Sequence, residues 1–222
     1  MNLKFVGTHL RTLKLGIATL ALAITTISAH AQQEEHSNPN VRLGQKALLD
    51  GDFKSAASHL EKALPAESKD PNVLYLLGYS QFHNGDYVKA ASSFSKVIAL
   101  DSKNANAYYY KAKANNNLAI AKESKLSLAQ KGQLLTSSID DYTKAIAVNV
   151  NDAKLYQNRA IAYRDLGILK GTSGAANYDK VAATDAYNKA IVDYEKVLTY
   201  DAARKDIQTE VKKAKVYRDN LK

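Results

Sequence analysis

The chain has 222 residues, no cysteine, no tryptophan and a formal charge of +9. Without cysteine there are no disulfides, no thiolate metal sites and no lipid-modified cysteine, so stability has to come from packing. Lys4, Arg11 and Lys14 supply part of the charge, and the tail from Arg204 onward holds seven basic residues against Asp206, Glu210 and Asp219. The body between them is therefore nearly balanced and lacks the basic face that nucleic-acid binding requires.

Lys4, Arg11 and Lys14 flank an uncharged, mostly apolar stretch from Leu15 to Ala29, and Ala29-His30-Ala31 is an A-x-A cleavage signal before Gln32. This pattern reads as a secretory signal peptide over 1-31. The apolar run falls short of the roughly 18 to 20 residues that span a bilayer, which favours a cleaved leader over an anchor. A periplasmic or secreted mature chain is expected, and Gln32 to Pro39 reads as a polar, disordered tether.

The next two stretches, about 37-70 and 71-104, are copies of each other. Leu43 matches Leu77, Gly44 matches Gly78, Gly51-Asp52-Phe53 matches Gly85-Asp86-Tyr87, Ala56 matches Ala90 and Leu60 matches Phe94, each pair 34 positions apart. A constant offset across glycines, small residues and apolar residues signals a structural repeat. The pattern Leu77-Gly78, Gly85-Asp86-Tyr87, Ala90, Phe94 and Val97-Ile98 resembles the tetratricopeptide repeat, a helix-turn-helix unit. In that reading Gly44, Gly78, Ala56 and Ala90 lie where two antiparallel helices approach closely. Gly51 and Gly85 end the first helices in a glycine-favoured conformation, and Asp70-Pro71 caps and opens the first helix of repeat two.

Two longer units follow, about 105-152 and 153-203. Tyr108, Ala112 and Ala114 lie 48 positions before Tyr156, Ala160 and Ala162, while Ile139, Asp141, Tyr142 and Lys144 lie 52 before Ile191, Asp193, Tyr194 and Lys196. The inserted length falls at the turn between the two helices and is close to whole helical turns, so the hairpins lengthen without rotating their buried faces. The turns are expected near Lys122 to Leu126 and at Gly171-Thr172-Ser173-Gly174, with much of Asn177 to Ala190 joined to the second helix. The extra length either packs one long hairpin on the other or projects as an edge for a partner. GTSG lacks the lysine and the strand-before-helix context of a phosphate loop. From 204 to 222, Ile207, Val211, Ala214, Tyr217 and Leu221 form an apolar stripe between lysines, which reads as a C-terminal capping helix or as a membrane-surface helix.

The expected architecture is an all-α, right-handed solenoid of about four such units with a capping helix. No chemistry stands out. His36, His59 and His83 form no paired ligand set, and no nucleophile motif, metal set or cofactor fingerprint is present, so neither a catalytic activity nor a cofactor is expected. The resemblance implies a concave groove lined by the first helices, and its register selects Val41, Arg42, Gln45 and Leu49 from repeat one. Repeat two contributes Asn72, Tyr75, Tyr79, Phe82 and His83, and repeat three Asn106, Tyr109, Tyr110, Lys113, Asn116 and Asn117. Repeat four adds Lys154, Gln157, Asn158, Ile161 and Arg164. Tyrosine and asparagine suit peptide recognition, although the tyrosines also fit as packing between adjacent first helices. The family's carboxylate-binding set of lysine, arginine and asparagine is not reproduced. The expectation is a non-catalytic protein- or peptide-binding scaffold of the cell envelope. A self-assembling homo-oligomeric subunit is the alternative, and a peripheral membrane protein held by the basic tail is a third reading.

Overall fold

The structure is a computed structural model that describes residues 36–222, so the signal-peptide reading of Met1 to Ala31 lies outside the described residues. Those residues form α-helices in hairpin pairs: α1 (Pro39–Leu49) with α2 (Phe53–Glu67), and α3 (Pro71–His83) with α4 (Tyr87–Leu100). Then come α5 (Ala105–Ile120) with α6 (Leu128–Val148), α7 (Ala153–Gly171) with α8 (Lys180–Tyr200), and the single α9 (Lys205–Asp219). Capping explains most of the helix starts. Side chains of Asn38, Asp52, Asp70, Asn104, Asp152 and Asp179 accept a first-turn backbone N–H, and Ser127 with Gln130 forms a capping box. Gly51 (φ 74°) and Gly85 (φ 87°) make the left-handed turns after α1 and α3, where a side chain would be strained.

Within each hairpin the helices meet at a small residue, as the repeat pattern requires. A Cβ built on Gly44 would stand 2.6 Å from Leu60 Cγ, and one on Gly167 would stand 2.9 Å from the Tyr187 ring. Leu60 is fully enclosed, so it has little room to move. Alanine gains about 1 kcal/mol over glycine in helix propensity, whereas overpacking costs about 1–3 kcal/mol. Gly44→Ala is therefore expected to destabilise the protein by up to about 2 kcal/mol, read as a lower denaturation midpoint.

The two long hairpins pack on each other and on the cap. Gly132 of α6 faces Leu169 of α7, and Leu221 after α9 sits against Gly171. Tyr217 meets Tyr187, and the Tyr178 hydroxyl donates to the carbonyl of Lys222. The turn of the third hairpin falls at 121–127 and matches the expectation. In the fourth, α8 begins only at Lys180, because Asn177 and Asp179 bond back to the end of α7: Asn177 Nδ2 to the Leu169 carbonyl (3.1 Å) and Asp179 N to the Lys170 carbonyl (2.8 Å). Asn177 to Asp179 thus belong to the turn and not to the second helix.

Ion pairs also tie the long hairpins. Arg159 on α7 reaches Asp193 on α8 with two bonds of 2.7 and 2.8 Å and also donates to Thr143 Oγ1 on α6. At the corresponding place in the third hairpin, Lys111 lies 2.9 Å from Asp141. The apolar stripe of α9 is turned inward, with Ile207, Val211 and Ala214 in one core with Tyr187, Ile191 and Tyr194 of α8. The tail therefore caps the solenoid. No helix among the described residues is long and apolar enough to cross a membrane.

The polar tether ends sooner than its composition suggests. Arg42 Nη1 donates to the carbonyls of His36 (2.7 Å) and Ser37 (3.0 Å), Asn38 Nδ2 to Glu67, and the Asn38 N–H to His36 Nδ1. Residues 36–38 are clasped against the junction of the first two repeats.

Candidate binding groove

The first helices α1, α3, α5 and α7 touch one another in order along the solenoid, whereas each second helix packs between the first helices of its own repeat and the next. That row carries the positions singled out from sequence. The structure separates them into groups by what their side chains touch.

Tyr79, Phe82 and Tyr109 are buried, and so is Asn116. Tyr79 and Phe82 stack edge-on against Tyr110, while Tyr109 packs against Tyr110 and Tyr142. These aromatic rings fill the seam between α3 and α5 and build the floor of the groove; they do not present a surface. Asn116 donates through Nδ2 to Asp165 on α7 (2.9 Å). Arg164 holds Asp165 (2.9 Å) and Glu210 of α9 (2.9 Å), and Arg42 is engaged at the N-terminal clasp. Asn116, Arg164 and Arg42 therefore tie neighbouring elements together.

Tyr75, Tyr110, Lys113, Asn117 and Asn158 are half-buried, and His83, Asn72, Asn106 and Lys154 are exposed. Tyr110 is the hub, with ring centroids 5.3 Å from Tyr79, 5.4 Å from Phe82 and 5.5 Å, stacked, from Phe94. Burial pushes the hydroxyls of Tyr75, Tyr109 and Tyr110 well above the ordinary tyrosine range, so all three stay neutral hydrogen-bonding groups. His83 lies over the edge of the same cluster, 4.3 Å from Tyr79 and stacked at 4.8 Å on Phe53. Although His83 keeps an exposed edge, the Phe53 and Tyr79 rings against its imidazole desolvate it, and that desolvation, helped by the charge of Lys113, lowers its proton affinity.

Two ammonium groups stand over this floor. Lys154 Nζ is 4.4 Å from the Tyr109 centroid, and Lys113 Nζ is 5.7 Å from Tyr109 and 5.5 Å from Phe82. Both are within cation–π range. Neither forms an ion pair among the described residues, and Lys113 is lowered by burial and by the neighbouring charge of Lys154. The sequence register names both lysines, but only the fold shows that they converge on one ring.

His36, Glu67 and Asp70 bring ligand-type atoms within 4.8 Å of one another. Because His36 Nδ1 accepts the Asn38 N–H, its proton is placed on Nε2, facing Asp70 at 3.8 Å. That arrangement leaves no ring lone pair for a metal, and the cluster reads as part of the clasp.

A helical-repeat scaffold with an inner row of aromatic and polar side chains is the class that fold and groove define. The family model for anaphase-promoting complex, cyclosome, subunit 3 matches residues 49–125. Among solved structures, a crystal structure of MamA protein is 24% identical, covers 81% of this chain and 90% of that one, and has a TM-score of 0.51. MamA 41-end from Desulfovibrio magneticus RS-1 is 19% identical over 84% of this chain and 98% of that one, with a TM-score of 0.50. A thermophilic TPR protein of Thermus thermophilus is 21% identical over 80% of this chain and 97% of that one, with a TM-score of 0.47. Comparison with curated proteins yields no match. At these identities the likeness is one of fold. With the repeat register described above, the fold is that of a tetratricopeptide-repeat solenoid. Such repeats serve as protein-interaction scaffolds and are generally non-catalytic.

Proposed function

We propose that this protein is an exported, non-catalytic scaffold of the cell envelope that holds a protein or peptide segment in the groove formed by α3, α5 and α7. The observation that carries the reading is the pair Lys113 and Lys154, held over the Tyr109 ring without a carboxylate partner beside the half-exposed Tyr75 and Tyr110. Two like charges held together over an aromatic floor favour a segment that brings an acidic group next to an apolar one. Crosslinking in intact cells followed by mass spectrometry names the partner. Against that partner, Lys113→Glu with Lys154→Glu is expected to weaken capture by at least about tenfold with unchanged helical circular dichroism, since charge reversal at a complementary interface costs more than about 1.4 kcal/mol. Full affinity in the double variant would place the binding surface elsewhere.

One observation favours self-assembly as a second reading. Leu43 is 47% exposed, whereas its counterpart Leu77, which has a preceding repeat, is 2% exposed. The face of α1 that carries Leu43 is thus the surface a second copy would cover, and light scattering on the mature chain tests it. The membrane reading of the tail is the weaker one, because Ile207, Val211 and Ala214 of its apolar stripe are packed against α8, which leaves Tyr217 and Val216 as the exposed apolar residues of the helix.

A further inference from the structure

Three consecutive first helices each bring one basic side chain to the groove, and two aromatic rings join these into a row. His83 of α3 lies edge-on against the Phe82 ring at 5.3 Å, and Lys113 of α5 holds its ammonium 5.5 Å from the centre of the same ring. Lys113 also donates to the Tyr109 hydroxyl at 3.5 Å, and Lys154 of α7 stands 4.4 Å over the Tyr109 ring. Each ring is shared by two basic groups, so the row crosses from α3 to α7 on a fixed floor.

No carboxylate pairs with Lys113, Lys154 or His83 among the described residues. The acidic charge that reaches this floor is Asp152, which acts on Tyr109 and is committed to capping α7, where it accepts the Lys154 N–H at 2.9 Å. Repulsion instead runs along the row, from Lys154 to Lys113 and from Lys113 to His83, and adds to desolvation in drawing Lys113 and His83 away from their charged forms. The contacts of the His83 ring are Phe53 of α2, Tyr79 and Phe82 of α3, and Tyr110 of α5. Tyr79 and Tyr110 stay neutral, and of the charged groups on the surrounding helices α1, α2, α4 and α5 it is Lys113 that acts on His83. His83 is also the last residue of α3, where the helix dipole favours a cation.

We propose that this row seats an extended protein segment through two or more acidic side chains on one face of that segment, and that His83 takes up a proton as the segment binds. The seat rests on the groove reading and adds to it the number and spacing of the acidic groups and a coupling to pH. Neighbouring helices pack about 8–10 Å apart, and side chains on one face of an extended chain recur about every 7 Å. Acidic residues two apart therefore reach adjacent members of the row within the play of the long lysine side chains. A carboxylate beside the row offsets the repulsion that keeps His83 neutral, so binding draws a proton from solvent and tightens as pH falls.

The test is isothermal titration of the full mature chain, at low salt, with the end-blocked peptide Tyr-Glu-Ser-Glu-Tyr and its monoacidic analogue Tyr-Glu-Ser-Gln-Tyr. Blocked ends leave side-chain carboxylates as the acidic groups of the probe. The diacidic peptide is expected to bind with a dissociation constant below about 1 mM and at least about tenfold more tightly than the analogue. From pH 7.5 to about 5.5 its affinity is expected to rise at least about fivefold, with proton uptake read from the difference in heat between phosphate and imidazole buffers. His83→Gln is expected to hold that rise below about twofold and to remove the uptake. Loss of the preference for the diacidic peptide, absence of its binding, or an unchanged pH response in His83→Gln would each overturn the proposal. If both peptides bind alike and Lys113→Glu with Lys154→Glu abolishes both, the groove reading stands without the row. If that double variant leaves diacidic binding unchanged, both fall.

Discussion

Asp193→Ala is expected to lower the unfolding free energy by about 3 kcal/mol, among the largest effects of any single side chain in the long hairpins. Asp193 is 3% exposed and takes both prongs of the Arg159 guanidinium at 2.7 and 2.8 Å. Removing it strands a mostly enclosed cation, whereas an apolar pair of similar volume removes both the charge and its partner. Arg159→Met with Asp193→Leu is therefore expected to recover most of the loss. For a chain of this size, about 3 kcal/mol corresponds to a fall of about 6–12 °C in melting temperature, which scanning calorimetry measures.

The related pair in the third hairpin behaves differently. Burial raises the Asp141 carboxyl above its ordinary value, and the opposing attraction of Lys111 does not cancel that effect. The folded state therefore binds this proton more readily than the unfolded chain does. Its contribution to stability grows as pH falls from the raised folded value towards the ordinary carboxylate range. Asp141→Asn is accordingly expected to change stability at neutral pH by less than about 1 kcal/mol and to steepen the acid limb of the stability profile, because it removes a gain that offsets the loss from carboxylates such as Asp206 and Glu210 whose pKa values are lowered by folding. An equal loss in Asp141→Asn and Asp193→Ala would show that the two pairs are equivalent after all.

Tyr110→Ala is expected to cost about 3 kcal/mol, because truncating a packed aromatic costs about 3–5 kcal/mol and this ring is half-buried. The ring touches Tyr75, Tyr79, Phe82, Phe94 and Tyr109, so its loss opens the seam between α3 and α5. Partner capture should fall together with stability, whereas Tyr110→Phe should keep both. Equilibrium urea unfolding distinguishes these outcomes by the transition midpoint. Lys113 and Lys154, which stand on this floor without supporting it, give the cleaner functional test.

Repeat order and turn positions were legible in the sequence because they depend on neighbours in the chain. Gly85 ends α3 and Asp70-Pro71 starts it through contacts within a few residues, and the 34-residue offset repeats them. The start of α8 was not legible, because it is set by the return of Asn177 and Asp179 to the end of α7. The groove was legible only as a list of positions. Tyr75 and Tyr109 are equivalent in the register, 34 positions apart, yet one is half-buried and the other buried. Arg164 looks available for a ligand until Glu210, 46 residues later, is found beside it.

By itself the sequence determined an all-helical array of four hairpins, two of them lengthened, because hydrophobic spacing, caps and glycines act locally and recur at fixed offsets. Only the tertiary structure decided which side chains of that array are floor, lock or open surface. Exposure and charge pairing depend on how closely helices from different repeats approach, and that distance is set by the summed packing of residues far apart in the chain.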